Sequence, residues 1–394
     1  MSAPLPDAEF EARIRLARCD GIGPMSFRRL VERFGSARGA IEALPALARQ
    51  AGRPTPLHPP TVEAVRRERD RLAALGGRFV LLGEPTYPPL LAALEDAPPL
   101  LAVLGEVGLL AQRAVAVVGG RNATANGQRI AESLGADLAR AGLVIVSGLA
   151  RGVDAAAHRG ALATGRTVAA IAGGLDCPYP PENAALQAEI AASGAVVAEA
   201  PLGTAPLARH FPRRNRVIAG LALGVVVVEA ALRSGSLITA RLAAENGREL
   251  FAVPGSPLDP RCQGSNDLIR QGGHLTESAA DVLANLPDHP SRQGLARVPG
   301  FAAGPAPGFA EPRPAWEEPA ESGPALAAAR ESVLELLGPS PTAVDEILRR
   351  CPASAAAVAS ILLDLELAGS IETLPGNRVA LLATPGESRR NGMP

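Results

Sequence analysis

Arginine recurs beside glycine or serine at the ends of apolar runs in the middle of this 394-residue chain, a pairing suited to holding phosphate. Gly119-Gly120-Arg121 closes the run AVAVV, and Ser147, Gly148, Arg151 and Gly152 follow LVIV. Arg233, Ser234, Gly235 and Ser236 follow GVVVVEA. Glycine lets an anion approach the backbone, a helix start offers unpaired N–H groups, and arginine adds a bidentate contact. The competing reading of each is a plain tight turn between strand and helix. Phe211-Pro212-Arg213-Arg214-Asn215-Arg216 gathers three arginines, an asparagine and one of only eight phenylalanines. An aromatic plane beside guanidinium groups suits stacked bases and their phosphates. The alternative is a surface basic run with Phe211 as a core anchor. Asp154 and His158, four residues apart, lie on one helix face. They form either an acid–base pair or a helix-start carboxylate above a packed histidine, and the lack of a nucleophile beside them favours packing. Glu229 ends an apolar run and is placed to order neighbouring N–H groups.

The elements that must position these residues follow from periodicity. Six continuous apolar runs, 114–121, 143–152, 167–176, 195–203, 224–230 and 249–255, alternate with Ala-rich helical segments such as 126–142 and 153–165. Unalternating strands joined by helices predict right-handed βαβ units and a parallel sheet covered on both faces, an extended Rossmann-like α/β fold. Its strand-end turns would share one crevice. Aromatics make up 3% of the chain, so the core must be built from Ala, Val, Leu and Ile.

Residues 1–85 read as a small N-terminal helical domain, with short helices over 9–50, a Pro/His break at 53–60, a charged helix at 62–75 and a short strand at 78–82. Gly21-Ile22-Gly23-Pro24, before FRRLVERFGS, resembles a helix-hairpin-helix turn whose N–H groups can hold DNA phosphate. The sheet domain is expected over 86–286, opening on a turn-rich stretch at 87–105. Pro, Gly and Ala dominate 287–325, which reads as a linker without fixed structure. Three helices and a hairpin (370–382) over 326–384 make a C-terminal winged helix. Its third helix, 353–368, has no basic residue but carries Asp364 and Glu366, so it reads as a protein-contact or regulatory module rather than a groove reader.

Composition excludes several chemistries. All 39 basic residues are arginine, which removes the lysine of a Walker-type loop and the amine of a Schiff base. The turn at 119–121 is not GxGxxG and no acidic residue follows at the dinucleotide spacing, so NAD is not expected. Four scattered cysteines and five histidines show no zinc pattern. No metal or cofactor is expected. A net charge of −1 gives no general pull on polyanions, so any nucleic-acid binding must be local. No signal peptide and no apolar run of about 20 residues is evident, which predicts a cytoplasmic protein without a membrane partner.

Taken in order, VAVVGGRNATANG, IVSGLARGVDAAAHRGAL, AGGLDCPYPPEN, VVAEAPLGTAPLARHFPRRNRVIAGL, VVVVEAALRSGSLITARLAAENGRELFAVPGS and GSNDLIRQGG resemble the DprA/Smf family of DNA-processing proteins of natural transformation. The resemblance is dense over 87–273 and covers the flanking domains in outline. It implies a non-enzymatic recombination mediator, usually homodimeric, that binds and protects single-stranded DNA and loads a RecA-type recombinase. It also implies that Gly119-Gly120-Arg121 occupies the family's glycine-serine-arginine phosphate site, with Gly120 in place of serine. Phe211 would then be the stacking residue, and Arg214 and Asn215 backbone contacts. The rival is a Rossmann-fold nucleotide hydrolase of the phosphoribohydrolase type acting through Glu229 or Asp154–His158, although its PGGxGTxxE pattern is missing.

Overall fold

A computed structural model describes residues 5–51, 56–287 and 324–382. They form two compact units, one over residues 67–287 and the other combining residues 5–66 with residues 324–382. In chain order the elements are α1 (Asp7–Ala17), α2 (Pro24–Phe34), α3 (Ala37–Gln50), α4 (Val62–Ala74), β1 (Gly77–Leu81), α5 (Pro89–Ala92) and β2 (Leu100–Gly105). The alternating core follows: β3 (Ala114–Gly119), α6 (Ala125–Arg140), β4 (Val144–Ser147), α7 (Val153–Leu162), β5 (Thr167–Ile171), α8 (Ala184–Ser193) and β6 (Ala195–Ala198). It continues with α9 (His210–Leu221), β7 (Gly224–Val228), α10 (Gly235–Glu245), β8 (Glu249–Ala252), α11 (Gln263–Arg270), β9 (His274–Leu275) and α12 (Ala279–Asn285). Last come α13 (Pro324–Leu336), β10 (Thr342–Ala343), α14 (Val344–Arg350), α15 (Ala355–Leu367), β11 (Ile371–Leu374) and β12 (Arg378–Leu381). The linker expected at 287–325 falls almost wholly outside the described residues.

The first unit is built on a sheet of order β1-β2-β6-β5-β4-β3-β7-β8-β9. Pairing is parallel from β6 through β9, whereas β1–β2 and β2–β6 are antiparallel. The six apolar runs are β3 to β8. Two details differ from the sequence expectation. The strand read at 78–82 as part of the helical domain lies in this sheet as β1, and the stretch read as turn-rich ends in β2. Proline in PPLLAALEDAPP hides the second, because the pattern of turns runs straight into LLAVLG without an alternating signal.

Both faces are covered, which is why the strands do not alternate in polarity. Along β3, Ala116 and Val118 pack with Val217, Ile218 and Leu221 of α9 and Leu242 of α10. Val115 and Val117 pack oppositely with Leu134 and Leu138 of α6, Ala156 of α7 and Val282 of α12. A core so poor in aromatics fills its space by close approach. A β-carbon at Gly135 or Gly160 would strike the backbone of the other helix, at Ala157 and Glu132 respectively, so α6 and α7 meet backbone to backbone.

In the second unit, α1 to α3 close on Leu16, Phe27, Leu30 and Leu44. Helices α13 to α15 and a small sheet of order β10-β12-β11 make a winged helix. Val358, Ile361, Leu362 and Leu365 of α15 face that domain's own core, while Leu363 and Leu367 are buried among α1 to α3. Among the described residues no helix is long and apolar enough to cross a membrane.

His158 of α7 is fully buried, and its Nδ1 lies 2.7 Å from the Thr167 hydroxyl. That hydroxyl donates to the Ile145 carbonyl at 3.0 Å, so it accepts from Nδ1–H and fixes a neutral tautomer. Burial, reinforced by Arg214 and Arg159, lowers the imidazole pKa to about 3. The unfolded chain protonates near pH 6.5 and the folded one near 3, so this histidine's stabilising contribution is complete above 6.5 and lost as pH falls between those values. We expect stability to fall with acidification by about 1.4 kcal/mol more per pH unit in the wild type than in His158→Gln. Urea unfolding at pH 6.5, 5.5 and 4.5 checks this, and parallel profiles for the two proteins would refute it.

Candidate nucleic-acid interface

The strand order reverses between β3 and β7, where an open parallel sheet ordinarily receives a ligand's phosphate at the following helix N-terminus. Here that seat is taken by a side chain. Glu229, one residue past β7, has φ 45°, a left-handed conformation uncommon for a side chain of its size. Its carboxylate accepts from the Thr124 N–H at 2.8 Å and from the Thr124 hydroxyl, which itself caps α6 by accepting from Gly127 N–H. A β-carbon at Gly127 would collide with the Glu229 carboxylate. The Glu229 carbonyl also accepts from Gly120 N–H at 2.8 Å. The Thr124, Gly127 and Gly120 N–H groups at the switch point are thus engaged from within, beside a cavity of about 260 Å³ that Thr124, Asn126 and Glu229 border.

An arginine-walled crevice lies one step over, at the ends of β3, β4 and β5. It is a cavity of about 230 Å³ bordered by Arg121, Gly148, Arg151, Tyr179, Phe211 and Arg214, with Pro180, Pro181 and Glu182 along one wall. This is below the ~300–1,000 Å³ typical of sites that enclose a whole drug-sized ligand, so it is matched to a single base or phosphate–sugar unit. The Phe211 ring stands at its edge. Arg121 lies 4.9 Å and Arg214 5.7 Å from the ring centroid, and Tyr179 meets it edge-on at 5.9 Å. Tyr179 keeps 44% of its surface exposed.

A buried carboxylate holds the crevice wall. Arg214, 7% exposed, lies 3.7 Å from Asp154 Oδ2, and the Asp154 carboxylate also accepts from Ala150 N–H. Burial raises the Asp154 pKa, with Arg214 opposing. A β-carbon at Gly148 would fall on the Arg214 guanidinium, so glycine is required there by the arginine beneath it.

Several expected contacts are placed differently by the fold. Phe211 to Arg216 is not a surface run but the first turns of α9. Arg213 therefore points outward, Arg214 sits beneath Phe211 by i,i+3 spacing, and Asn215 and Arg216 turn inward. Asn215 donates to the Gly235 carbonyl at 3.3 Å. Arg216 pairs with Glu199 at 2.7 Å and Asp96 at 3.4 Å. Ser147 is sealed from solvent and donates to the Val117 carbonyl. Gly119 is required because a β-carbon would strike the Val228 carbonyl, and Gly152 by φ 74°. Ser234 caps α10, its hydroxyl accepting from Ser236 N–H. The Ser234–Ser236 turn does not border the cavity, whereas Gly120, Arg121 and Arg151 remain at the surface near it. Arg151 pairs loosely with Glu182 at 3.5 Å. The acid–base reading of Asp154–His158 also fails on burial, since both are closed to solvent. Tyr179 escaped the sequence reading, although it is one of only two tyrosines and is followed by two prolines, a combination that marks an exposed aromatic held rigidly.

Comparison with known proteins points the same way. Residues 78–287 match the family model for DNA recombination-mediator protein A, 7–70 a DprA-like N-terminal HHH domain and 317–377 the DprA winged helix domain. The chain is 41% identical over 297 residues to Protein Smf of Escherichia coli, covering 75% of each. It is 33% identical over 390 residues to Protein Smf of Synechocystis, covering 91% of this chain and 95% of that protein. The crystal structure of DNA processing protein A from Streptococcus pneumoniae superposes with a TM-score of 0.61 at 35% identity, covering 71% of this chain and 97% of that one.

The dependence of Arg214 on an empty position at 148 is directly measurable. Gly148→Ala must drive the guanidinium off Asp154 and leave a buried carboxylate unpaired, costing roughly 3 kcal/mol. Urea denaturation should show a lower midpoint with an unchanged slope, and an unchanged midpoint would contradict this packing.

Proposed function

This chain belongs to the DNA recombination-mediator protein A family, and from that premise we propose that it binds single-stranded DNA in the Arg121–Phe211 crevice. The observation that carries the reading is the Phe211 ring, flanked by Arg121 and Tyr179 at the mouth of an arginine-walled cavity. A base splayed from a strand stacks on Phe211, and its flanking phosphates meet Arg121, Arg151 and Arg213, while the Gly119–Gly120 turn shapes the wall with its Gly120 N–H already given to the Glu229 carbonyl. Arg214 contributes from beneath the ring. Asn215, Arg216, Ser147 and Ser236 hold the scaffold. Gly120, where the resemblance implies serine, contributes only its backbone, and a β-carbon there would lie 2.9 Å from the Glu229 carbonyl.

The protein acts by binding and not by turnover. Glu229 borders a cavity but spends its carboxylate on Thr124 at the start of α6, and Asp154 and His158 are buried, which disfavours the hydrolase alternative. In this proposal a cytoplasmic homodimer protects incoming strands and passes them to a RecA-type recombinase during natural transformation and recombination. Strand-exchange assays on single strands already coated with a single-strand-binding protein test the hand-over, and no acceleration by this protein would sink it.

Stacking on an aromatic is worth about 1–3 kcal/mol per base, so Phe211→Ala should weaken oligo(dT) binding roughly 5- to 150-fold. Arg121→Ala should weaken binding of all sequences alike and flatten the log–log salt dependence by about 0.7 for each phosphate no longer neutralised. Fluorescence anisotropy with single-stranded and duplex probes at two salt concentrations reads both effects. Unchanged oligo(dT) affinity in both variants would exclude this crevice.

A further inference from the structure

The N-terminal hairpin and the winged helix, remote in sequence, meet face to face within the second unit. The turn Gly21–Pro24 leads into α2 with Gly23 as its N-cap and Pro24 in its first turn. Such a start leaves N–H groups without partners inside the helix. Here one of them, the Gly23 N–H, is met by a carboxylate from α15. Glu366 Oε1 lies so close to Gly23 that a β-carbon there would come within 2.8 Å of it. The same carboxylate accepts from Gly23 N–H, Ser26 Oγ and the Thr373 side chain, and Arg29 of α2 adds an opposite charge. Arg29 also donates to the Ala359 carbonyl at 3.0 Å. Ser26 is fully buried and Glu366 is 8% exposed, so this polar cluster is sealed.

The seat is continuous along α15. Ala359, Leu363, Glu366 and Leu367 fall at i, i+4, i+7 and i+8, one helical stripe. Leu363 and Leu367 close the apolar part of the contact against the core of α1 to α3. This stripe belongs to the third helix of a winged helix, the element that enters a DNA groove where such domains read DNA. A buried carboxylate that has given up water must be compensated by hydrogen bonds, and burial nevertheless raises the Glu366 pKa. Two apolar side chains alone would hold the surfaces together without that penalty.

We propose that the winged helix is an internal cover for the hairpin, latched by Glu366, whose carboxylate stands at Gly23 and Ser26 where a DNA backbone phosphate would otherwise be held. The closed arrangement masks the hairpin from nucleic acid. Opening the latch uncovers a second, sequence-independent DNA contact, separate from the Phe211 crevice.

The test uses the full-length protein in an Arg121→Ala, Phe211→Ala background, so its outcome does not depend on the crevice reading. Glu366→Gln removes the charge while keeping the shape. Ser26→Ala removes a buried donor from the opposite side and must act in the same direction if Glu366→Gln folds poorly. Amide hydrogen exchange over 21–27 should quicken at least tenfold in both variants while β3 and β4 stay protected. Affinity for a labelled duplex should rise about fivefold or more and vanish again at high salt. Unchanged exchange over 21–27 would show that Glu366 is not a latch. Faster exchange with unchanged duplex affinity would show that the contact is architectural and covers no DNA site.

Discussion

The fold turns on one carboxylate at the place where a parallel sheet changes direction. In an open α/β sheet the end of the first strand and the following helix form an anion site by geometry alone, because the helix N–H groups and dipole converge there. Glu229 satisfies those groups from inside the protein by adopting a left-handed backbone at the end of β7. The strain of that conformation, on the order of 1–3 kcal/mol, is offset by charge-assisted hydrogen bonds to Thr124. With those N–H groups taken and a carboxylate bordering the cavity there, a ligand's phosphates would meet like charge where a nucleotide's sit. The open anion-facing surface shifts to the neighbouring crevice, which Arg121, Arg214 and Phe211 border.

That crevice depends on a division among arginines that composition hides. Arg216 is locked between Asp96 and Glu199, which together overcome the effect of burial and raise its pKa. Arg214 is half committed, paired with Asp154 on one side and lying under Phe211 on the other. Arg121 and Arg213 are exposed. A chain with a net charge of −1 can therefore present a local cationic edge, because the nearby carboxylates of Asp96, Asp154 and Glu199 are engaged by buried arginines. Guanidinium suits all three roles, since it pairs in a plane, stacks on rings and stays charged when buried.

The sequence makes the sheet legible because its strands are buried on both faces and read as unbroken apolar runs. β2 escapes because its partners run antiparallel and prolines crowd its approach. The site is legible as a set of residue types but not as a surface. Three arginines in four positions look alike until the start of α9 is fixed at His210, and a shift of one residue on a helix turns a side chain by about 100°. Ser147 and Gly148 sit at a strand end just as a phosphate turn would, yet one bonds Val117 and the other makes room for Arg214. No local pattern distinguishes those uses, because the deciding partners are 30 and 66 residues away in sequence. Helix α15 is the contrary case. ASAAAVASILLDLELAG is apolar around most of its circumference, and such a helix must be buried on two sides. One side is its own domain and the other is the α1–α3 core.

The same device then appears twice, with different consequences. Glu229 caps the α6 start from within one domain and from 105 residues away. Glu366 closes the α2 start from 340 residues away, across a boundary between separately cored domains, so the parting of two surfaces removes it. What stays open throughout is the one anion-facing surface that also carries an aromatic ring. A phosphate alone could be held by any of these helix starts, in duplex or single strand. Phe211 needs a base turned out of its stack, and a continuous duplex does not offer one without an unpairing cost of a few kcal/mol. In the proposed binding mode, preference for single strands would arise from the anion sites the protein engages with its own carboxylates as much as from the one it offers.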